Sequence, residues 1–458
     1  VPDLATIVKA YDIRGIVPDQ LNEELARSFG AAFARFAGQA DGGEGPAAAL
    51  VVAHDMRDSS PGLAQAFADG AMQQGSDVVM VGLASTDMLY FASGQLDLPG
   101  AMFTASHNPA RYNGIKLCLS GARPVGEDSG LLAIRSMVEE GVPAGDGRRG
   151  TLTHRDLLAD YVAYLHSLVD LSGIRPLKVA VDAGNGMGGF TVPKAFEGLP
   201  IEVVPMYFEL DGTFPNHEAN PLEPKNLVDL QKRVLEVGAD AGLAFDGDAD
   251  RCFVVDEKGQ PVSPSAVTAL VAVRELEHEP GATIIHNLIT SRAVPEIVRE
   301  HGGNPVRTRV GHSFIKSEMA STGAIFGGEH SAHYYFRDFW RADTGMLAAL
   351  HVLAALGHAP AEMTMSQLAA DYSRYAASGE INTEVADQRA TLARVRAVYA
   401  DREGVTMDDL DGLTVSSADW WFNLRPSNTE PLLRLNCEAA DVQLMASVRD
   451  DVLALVRS

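Results

Sequence analysis

Cysteine is scarce: Cys118, Cys252 and Cys437 are the only three in 458 residues, and no two form a Cys-x-x-Cys pair. An odd, scattered set of thiols argues against a disulfide framework or a zinc knuckle and fits a reducing cytoplasm. Cationic residues are few as well, with 37 Lys and Arg against 61 Asp and Glu and a formal net charge of −24. A general nucleic-acid binder carries a basic face, so no nucleic-acid partner is expected, and an anionic ligand must be held by a local cluster of cations. Long apolar runs are missing too. The longest, at 346–356, is too short to span a bilayer and contains His351. The stretch VPDLATIVKAYDIRG has no basic region followed by an apolar one, so no signal peptide is expected there. A membrane partner is therefore not expected either. What is present is an ordinary globular balance, 46% hydrophobic and 21% charged. At roughly 100–200 residues per domain, the length predicts two to four domains.

Breaks at 141–150 (GVPAGDGRRG), 257–261 (EKGQP) and near 371–379 divide the chain. They predict domains at 1–149, 150–256, 257–371 and 372–458. After the first break, Leu157, Leu158, Tyr161, Leu165 and Leu168 recur near helical spacing and predict an amphipathic helix over 151–169. The first three segments share a plan. Each opens on an apolar strand-like run (48–53, 177–181, 282–288) and closes on a run that empties into a polar loop. The loops are FTASHNP at 103–109, FDGDADR at 245–251 and GGEHSAH at 327–333, with helical stretches such as 61–74 and 227–237 between. Strands alternating with helices predict parallel sheets covered on both faces, with ligands beyond the carboxyl ends of the strands. The fold class is α/β: three similar α/β domains with mainly parallel mixed sheets, each giving one loop to a shared central cleft. Strand-like runs at 412–416, 420–425 and 432–437, followed by a helix at 441–457, predict a smaller C-terminal α+β domain.

The loops carry the chemistry. Ser106 follows an apolar strand and precedes His107, Asn108 and Pro109. Pro109 keeps Asn108 out of the helical region, so the hydroxyl is raised on an open turn as a nucleophile or phosphate carrier; the bland alternative is an ordinary turn. Asp246, Asp248 and Asp250 alternate with Gly247 and Ala249, so a tight loop can aim three carboxylates at one point. Crowded anions need a cation among them, and hard oxygen ligands favour Mg²⁺ with a phosphate oxygen; otherwise this is a solvated acidic turn. Arg251 follows directly and could grip an anion. Glu329, Ser331 and His333 on a Gly-entered loop suit sugar hydroxyls, or form a polar turn before an aromatic run. Arg425, Ser427, Asn428 and Thr429 (RPSNT) combine a guanidinium with groups that complete an anion nest, or with a capping Ser alone. Arg14 (KAYDIRG) and Lys116 (NGIKL) are further cations that could equally be exposed. His312 (VGHS) is an acid/base candidate or a satisfied loop histidine. The run DAGNGMGG at 182–189 has glycine spacing without the acidic residue of a nucleotide fingerprint, so it reads as a close-packed strand–helix turn.

Together these residues resemble the α-D-phosphohexomutase family over nearly the whole chain. The family's phosphoserine loop, Thr-x-Ser-His-Asn-Pro, is matched at 104–109, and its metal loop, Asp-Gly-Asp-x-Asp-Arg, at 246–251. The sugar loop, Gly-Glu-x-Ser-Gly/Ala-His, is matched at 328–333, the phosphate loop, Arg-x-Ser-Asn-Thr-Glu-Pro, at 425–431, and Tyr-Asp-Ile-Arg-Gly at 11–15. The resemblance implies an enzyme that interconverts hexose 6-phosphate and hexose 1-phosphate through a 1,6-bisphosphosugar that turns around in the cleft. Ser106 would be the phosphorylated residue and would join Asp246, Asp248 and Asp250 around Mg²⁺. Arg14, His107, Lys116 and Arg251 would attend the transferring group, and Lys116 or His312 would handle the hydroxyl proton. Glu329, Ser331 and His333 would hold the sugar, and Arg425, Ser427, Asn428 and Thr429 the other phosphate. Glucose 1,6-bisphosphate or mannose 1,6-bisphosphate would activate.

The sugar loop resembles those of members that accept mannose phosphates, often with glucose phosphates too, so phosphomannomutase activity is expected with phosphoglucomutase activity beside it. Strict phosphoglucomutases commonly lack the final His, and phosphoglucosamine mutases usually carry Gln where His330 stands. Two readings from other classes are a haloacid-dehalogenase-like phosphatase with Asp246 as nucleophile and a non-catalytic sugar-phosphate binder. The expectation is a cytoplasmic monomer or homodimer whose partner is a small-molecule hexose phosphate.

Overall fold

The computed structural model describes residues 3–43, 45–427 and 431–458. The chain forms two compact units, one of Val1–Val262 with Ser331–Gln367, the other of Ser263–His330 with Leu368–Ser458.

The first unit holds two mixed sheets built on one plan. In the first, strands Asp77–Leu83, Ala49–His54 and Gly100–Phe103 lie parallel in that spatial order, and Tyr112–Leu119 returns antiparallel beside Gly100–Phe103. In the second, Ile201–Met206, Leu177–Asp182 and Ala241–Phe245 are parallel, and Cys252–Asp256 returns antiparallel beside Ala241–Phe245. The central strands are apolar along their length because both faces are covered: Gly100–Phe103 and Ala241–Phe245 are buried at every position. Side-chain caps set the start of key helices. Asn22 accepts from Leu25 N–H at the head of Glu23–Ala40, and Ser85 accepts from Met88 N–H at the head of Thr86–Leu96. The apolar run near 346–356 lies in the buried helix Gly345–His358, where His351 stacks on Phe336.

In the second unit Asn304–Thr308, Thr283–Asn287 and Phe326–Gly328 are parallel in that order. Its C-terminal sheet has five antiparallel strands, with helices Gln388–Tyr399 and Val442–Arg457 supplying residues to its core. No described helix is long and apolar enough to cross a membrane, and all three cysteines are buried.

Two expected elements differ. The helix expected over 151–169 is confined to Leu158–Leu168, and Leu152–His154 forms a strand instead. The open edge of Asp77–Leu83 takes Leu152–His154 as a parallel partner, and edge pairing outweighs an apolar spacing that begins only at Leu157. The polar break near 371–379 runs into a nine-residue strand, Ala376–Glu384, paired antiparallel with Leu432–Ala439. As an edge strand it needs few large apolar side chains. Ile381 packs on the core while alternate residues face water.

Candidate active site

In the two sheets of the first unit, the same topological position carries a polar loop: the link from the last parallel strand to its antiparallel return. Residues 104–111 fill it in one sheet and 246–251 in the other. Both loops hold a non-glycine residue in the left-handed region, Ser106 at φ 49° and Ala249 at φ 59°. Such residues cost on the order of 1–3 kcal/mol each and persist only where the surroundings over-determine them. Gly247 permits close approach of the loops, since a Cβ there would lie 2.4 Å from the Ser106 carbonyl oxygen.

Ser106 Oγ donates to Asp246 Oδ2 at 2.8 Å, and Ser106 N–H donates to Thr104 Oγ1 at 2.9 Å. Arg251 donates to the same Asp246 Oδ2 from Nε at 3.0 Å and Nη2 at 2.8 Å, and Nη2 also reaches His107 Nδ1 at 2.5 Å and Ser106 Oγ at 3.4 Å. A guanidinium only donates, so His107 Nδ1 accepts and the ring proton sits on Nε2. Burial, with Arg251 and Arg14 nearby, pushes His107 well below the usual histidine range, so the ring is neutral.

Lys116 comes from the return strand. Its Nζ donates to Asp248 Oδ2 at 2.7 Å and Asp250 Oδ2 at 2.6 Å. Burial pulls the ammonium down, but the two carboxylates outweigh it and hold Lys116 well above the ordinary value. Asp248 shows the reciprocal effect: burial opposes ionisation, yet Lys116 and the Thr86 hydroxyl hold it well below the usual carboxylate range. Asp246 goes the other way, raised mainly by burial and by its neighbouring aspartates against the pull of Arg251. Arg14 pairs with Asp12 at 2.8 Å, donates to Ala105 O at 3.3 Å and contacts Asn108 Oδ1. His333 Nε2 stands 3.8 Å from Asp250 Oδ1, and Ser331 Oγ is 3.0 Å from His333 Nδ1.

The aspartate loop fits a hard divalent cation. Asp246, Asp248 and Asp250 place one oxygen each within 4.8 Å of one another. Among the described residues, Asp248 Oδ1 and Asp250 Oδ1 are buried with no hydrogen-bond partner, a cost that a cation ligated by those oxygens removes.

The other expected residues lie in the second unit. Glu329 is buried, and its Oε1 accepts from Asn287 Nδ2 and from Gly311 N–H, each at 3.2 Å. His312 follows Gly311 as the first residue of helix His312–Thr322. Arg425 Nη2 donates to Glu380 Oε2 at 2.8 Å, while Arg434 Nη1 reaches Glu380 Oε1 at 3.4 Å. Ser427 is buried, with its N–H on Leu432 O. Asn428 and Thr429 lie outside the described residues. The structure thus gathers Ser106, His107, Arg14, Lys116, Arg251, the three aspartates, Ser331 and His333 in one unit. Glu329, His312, Arg425 and Ser427 belong to the other, so the loop 327–333 is divided between them.

Three residues in these networks carried no sequence signal that singled them out. Thr86 donates to Asp248 Oδ2 at 2.6 Å and its N–H to Asp248 O at 3.0 Å. Glu380 directly follows the segment 371–379 read as a polar break. Arg57 lies just past the end of strand Ala49–His54, a strand end like those that carry the other loops, and that position was the available clue.

Comparison with known proteins gives a consistent result. The phosphoglucomutase/phosphomannomutase alpha/beta/alpha domains I, II and III match residues 5–142, 159–259 and 263–375, and the C-terminal domain of the same family matches 380–455. The chain is 41% identical over 466 residues to a phosphomannomutase of Salmonella montevideo, covering 99% of both. It is 42% identical over 452 residues to a protein of Xanthomonas campestris pv. campestris named phosphohexose mutases, covering 98% of both. A solved phosphoglucomutase/phosphomannomutase family protein from Burkholderia thailandensis superimposes with a TM-score of 0.89 at 34% identity, covering 99% of this chain and 97% of that one.

Proposed function

The chain belongs to the phosphoglucomutase/phosphomannomutase family and is a hexose-phosphate mutase, and within that activity we propose that Ser106 carries the phosphoryl group. The observation that carries this reading is the Ser106 hydroxyl on Asp246, with the Arg251 guanidinium reaching both. A sugar hydroxyl attacks phosphorus on Ser106. The new sugar O–P bond forms as the Oγ–P bond breaks, and the hydroxyl proton passes to a base, for which His312 is the candidate, since Asp248 and Asp250 hold Lys116 as an ammonium with no lone pair to accept it. In the second half the other phosphate of the 1,6-bisphosphosugar returns to Ser106 by the reverse exchange. Arg251 and Arg14 stabilise charge on the transferring group, and neutral His107 keeps Arg251 aimed at the serine.

Asp246, Asp248, Asp250 and Ser106 would hold Mg²⁺, which would neutralise charge on the transferring phosphoryl group. Glu329, Ser331 and His333 take sugar hydroxyls. Arg425 and Ser427, with Asn428 and Thr429, take the phosphate that is not reacting. Mannose phosphates are the preferred substrates and glucose phosphates the second choice, with glucose or mannose 1,6-bisphosphate as activator. The sugar preference is supported by relatives named phosphomannomutase and by the Glu329–His333 sequence. The match of all four phosphoglucomutase/phosphomannomutase domains weighs against the aspartate-nucleophile reading.

The test is a coupled assay on mannose, glucose and glucosamine phosphates, with intact-mass measurement of wild type and Ser106→Ala. Wild type should carry one phosphate that the variant lacks, and the variant should be folded but inactive. Near wild-type turnover by Ser106→Ala sinks the reading, and a preference for glucosamine phosphate sinks the choice of sugar.

A further inference from the structure

Arg57 is the most thoroughly engaged buried cation that the mechanism above does not use. It is 2% exposed, in the link between strand Ala49–His54 and helix Ser60–Gln73. Its Nη1 donates to Pro109 O and Tyr112 O, each at 3.0 Å, and its Nη2 to Ser106 O at 2.9 Å and Asn108 O at 2.7 Å. Its Nε donates to Asp55 Oδ2 at 3.2 Å, and its guanidinium carbon lies 5.0 Å from the centre of the Phe214 ring. Asp55 is fixed in turn. It accepts from Arg57 N–H at 3.0 Å and from Ser60 Oγ at 2.6 Å, and Ser60 Oγ is met by Asn113 Nδ2 at 2.9 Å on the return strand.

Four carbonyls, three from the loop and that of Tyr112 at the start of the return strand, therefore converge on one guanidinium. Only arginine has enough rigid planar donors to serve all four, because a lysine ammonium has three. The loop needs such a holder. Ser106 sits at φ 49°, where Cβ crowds the backbone, and four converging carbonyls repel one another when shielded from water. Ser106 is held from both ends, with its carbonyl on Arg57 and its hydroxyl on Asp246.

We propose that Arg57 is a positioning residue for phosphoryl transfer: through the carbonyls of Ser106, Asn108, Pro109 and Tyr112 it sets the angle at which Ser106 Oγ meets phosphorus, without touching the sugar. This rests on the reading that Ser106 carries the phosphoryl group. A positioning role affects the rate of transfer and leaves ground-state binding of the sugar phosphate alone.

The test uses Arg57→Lys, which keeps the charge and loses the fork, and Arg57→Met, which loses both. Phe29→Leu serves as a control for simple destabilisation, since Phe29 is buried in the core of the same sheet and touches no loop carbonyl in the hydrogen-bond network. A misplacement of even about 1 Å costs about 10²-fold in rate, so kcat of Arg57→Lys should fall by at least about ten-fold. The KM for the sugar phosphate and the Mg²⁺ half-saturation should stay within about two-fold of wild type. Arg57→Met should lose more. Asp55→Asn, which removes the carboxylate that Nε pairs with and leaves the carbonyl contacts of Arg57 in place, should show a smaller loss of the same kind, and it decides the matter if neither Arg57 variant folds. The inference is overturned if kcat is undiminished in the Arg57 variants, or in Asp55→Asn where those do not fold. It is also overturned if the loss only matches that of Phe29→Leu at equal melting temperature, or if KM rises in step. Phosphate found on Ser106 in wild type alongside undiminished kcat overturns this inference alone, whereas phosphate found on another residue overturns the phosphoserine reading with it.

Discussion

Gly247 and Ser106 meet backbone to backbone: a Cβ on the glycine would stand 2.4 Å from the serine carbonyl oxygen, and 3.2 Å from its carbonyl carbon. The neighbour is main chain, so it cannot swing aside as a side-chain tip would. Gly247→Ala should therefore push the serine loop and the aspartate loop apart. We expect a loss of about 1–3 kcal/mol in stability from overpacking and a fall of at least about ten-fold in kcat from the displaced hydroxyl. Thermal melting and steady-state kinetics check both, and unaltered kcat with a normal melting temperature would show that the loops give way freely.

Asp248 has two different oxygens. Oδ2 accepts from Lys116 and Thr86, while Oδ1 is buried without a hydrogen-bond partner among the described residues. Asp248→Asn should raise the Mg²⁺ needed for half-maximal turnover and lower kcat more than it raises the sugar-phosphate KM. Treatment with EDTA should abolish wild-type turnover and leave the variant little further to lose. Calorimetric Mg²⁺ binding equal to wild type, with equal turnover, would mean that the loop is not the metal site.

Asp87 gives a pH signature. Its carboxylate is buried and accepts from Ser85, from Tyr161 OH at 2.6 Å and from Thr344 Oγ1 at 2.7 Å. Burial pushes the carboxyl up to about 6, against the pull of those three hydroxyls. The folded protein thus holds this proton more tightly than the unfolded chain, whose aspartates titrate near ~3.9. The stabilising contribution is complete below about pH 4 and is lost as pH rises through about 6, a change of about 3 kcal/mol. Asn cannot ionise, so Asp87→Asn minus wild type, measured by urea unfolding, should shift toward the variant by up to about 3 kcal/mol from about pH 4 to about pH 7. A difference that stays constant over that range would show that Asp87 does not titrate there.

Arg425 is the candidate clamp for the non-reacting phosphate. Its Nη2 rests on Glu380, and its Nε is buried without a hydrogen-bond partner among the described residues. A charged hydrogen bond is worth roughly 1.5–3 kcal/mol, so Arg425→Ala should raise KM by about one order of magnitude or more. Bisphosphate should also escape more often. Added glucose 1,6-bisphosphate should then rescue Arg425→Ala partly, and far better than it rescues Ser106→Ala. Release of intermediate can be followed by ³¹P NMR, and a wild-type KM without added escape would remove Arg425 from this role.

Much of the fold was legible because it rests on local rules. Apolar runs at 48–53 and 177–181 became strands nearly in place, since a strand buried on both faces must be largely apolar, and 432–437 did so because Leu433, Leu435 and Cys437 alternate onto the core. The elements misread were those whose partners are remote. Leu152–His154 is a strand because Asp77–Leu83 offers an edge, and Ala376–Glu384 is one because Leu432–Ala439 does.

The same division runs through the site. The sequence by itself determined which groups are available: a serine raised before His-Asn-Pro, three aspartates at alternate positions, and an Arg-Pro-Ser-Asn-Thr run, because turn chemistry and residue type are properties of a few adjacent residues. Only the tertiary structure decided which of them act on one another. Thr86 and Asp248 are 162 residues apart, Lys116 and Asp248 132, and Arg57 and Ser106 49, yet each pair shares a buried or part-buried hydrogen bond or ion pair. Removal from water is what makes such pairs matter, because an exposed charge finds its partner in solvent while a buried one must find it in the chain. Burial is set by what packs from elsewhere, so the pairing of Arg57 with the serine loop and the opposite shifts of Asp246 and Asp248 arise only once the sheets are assembled.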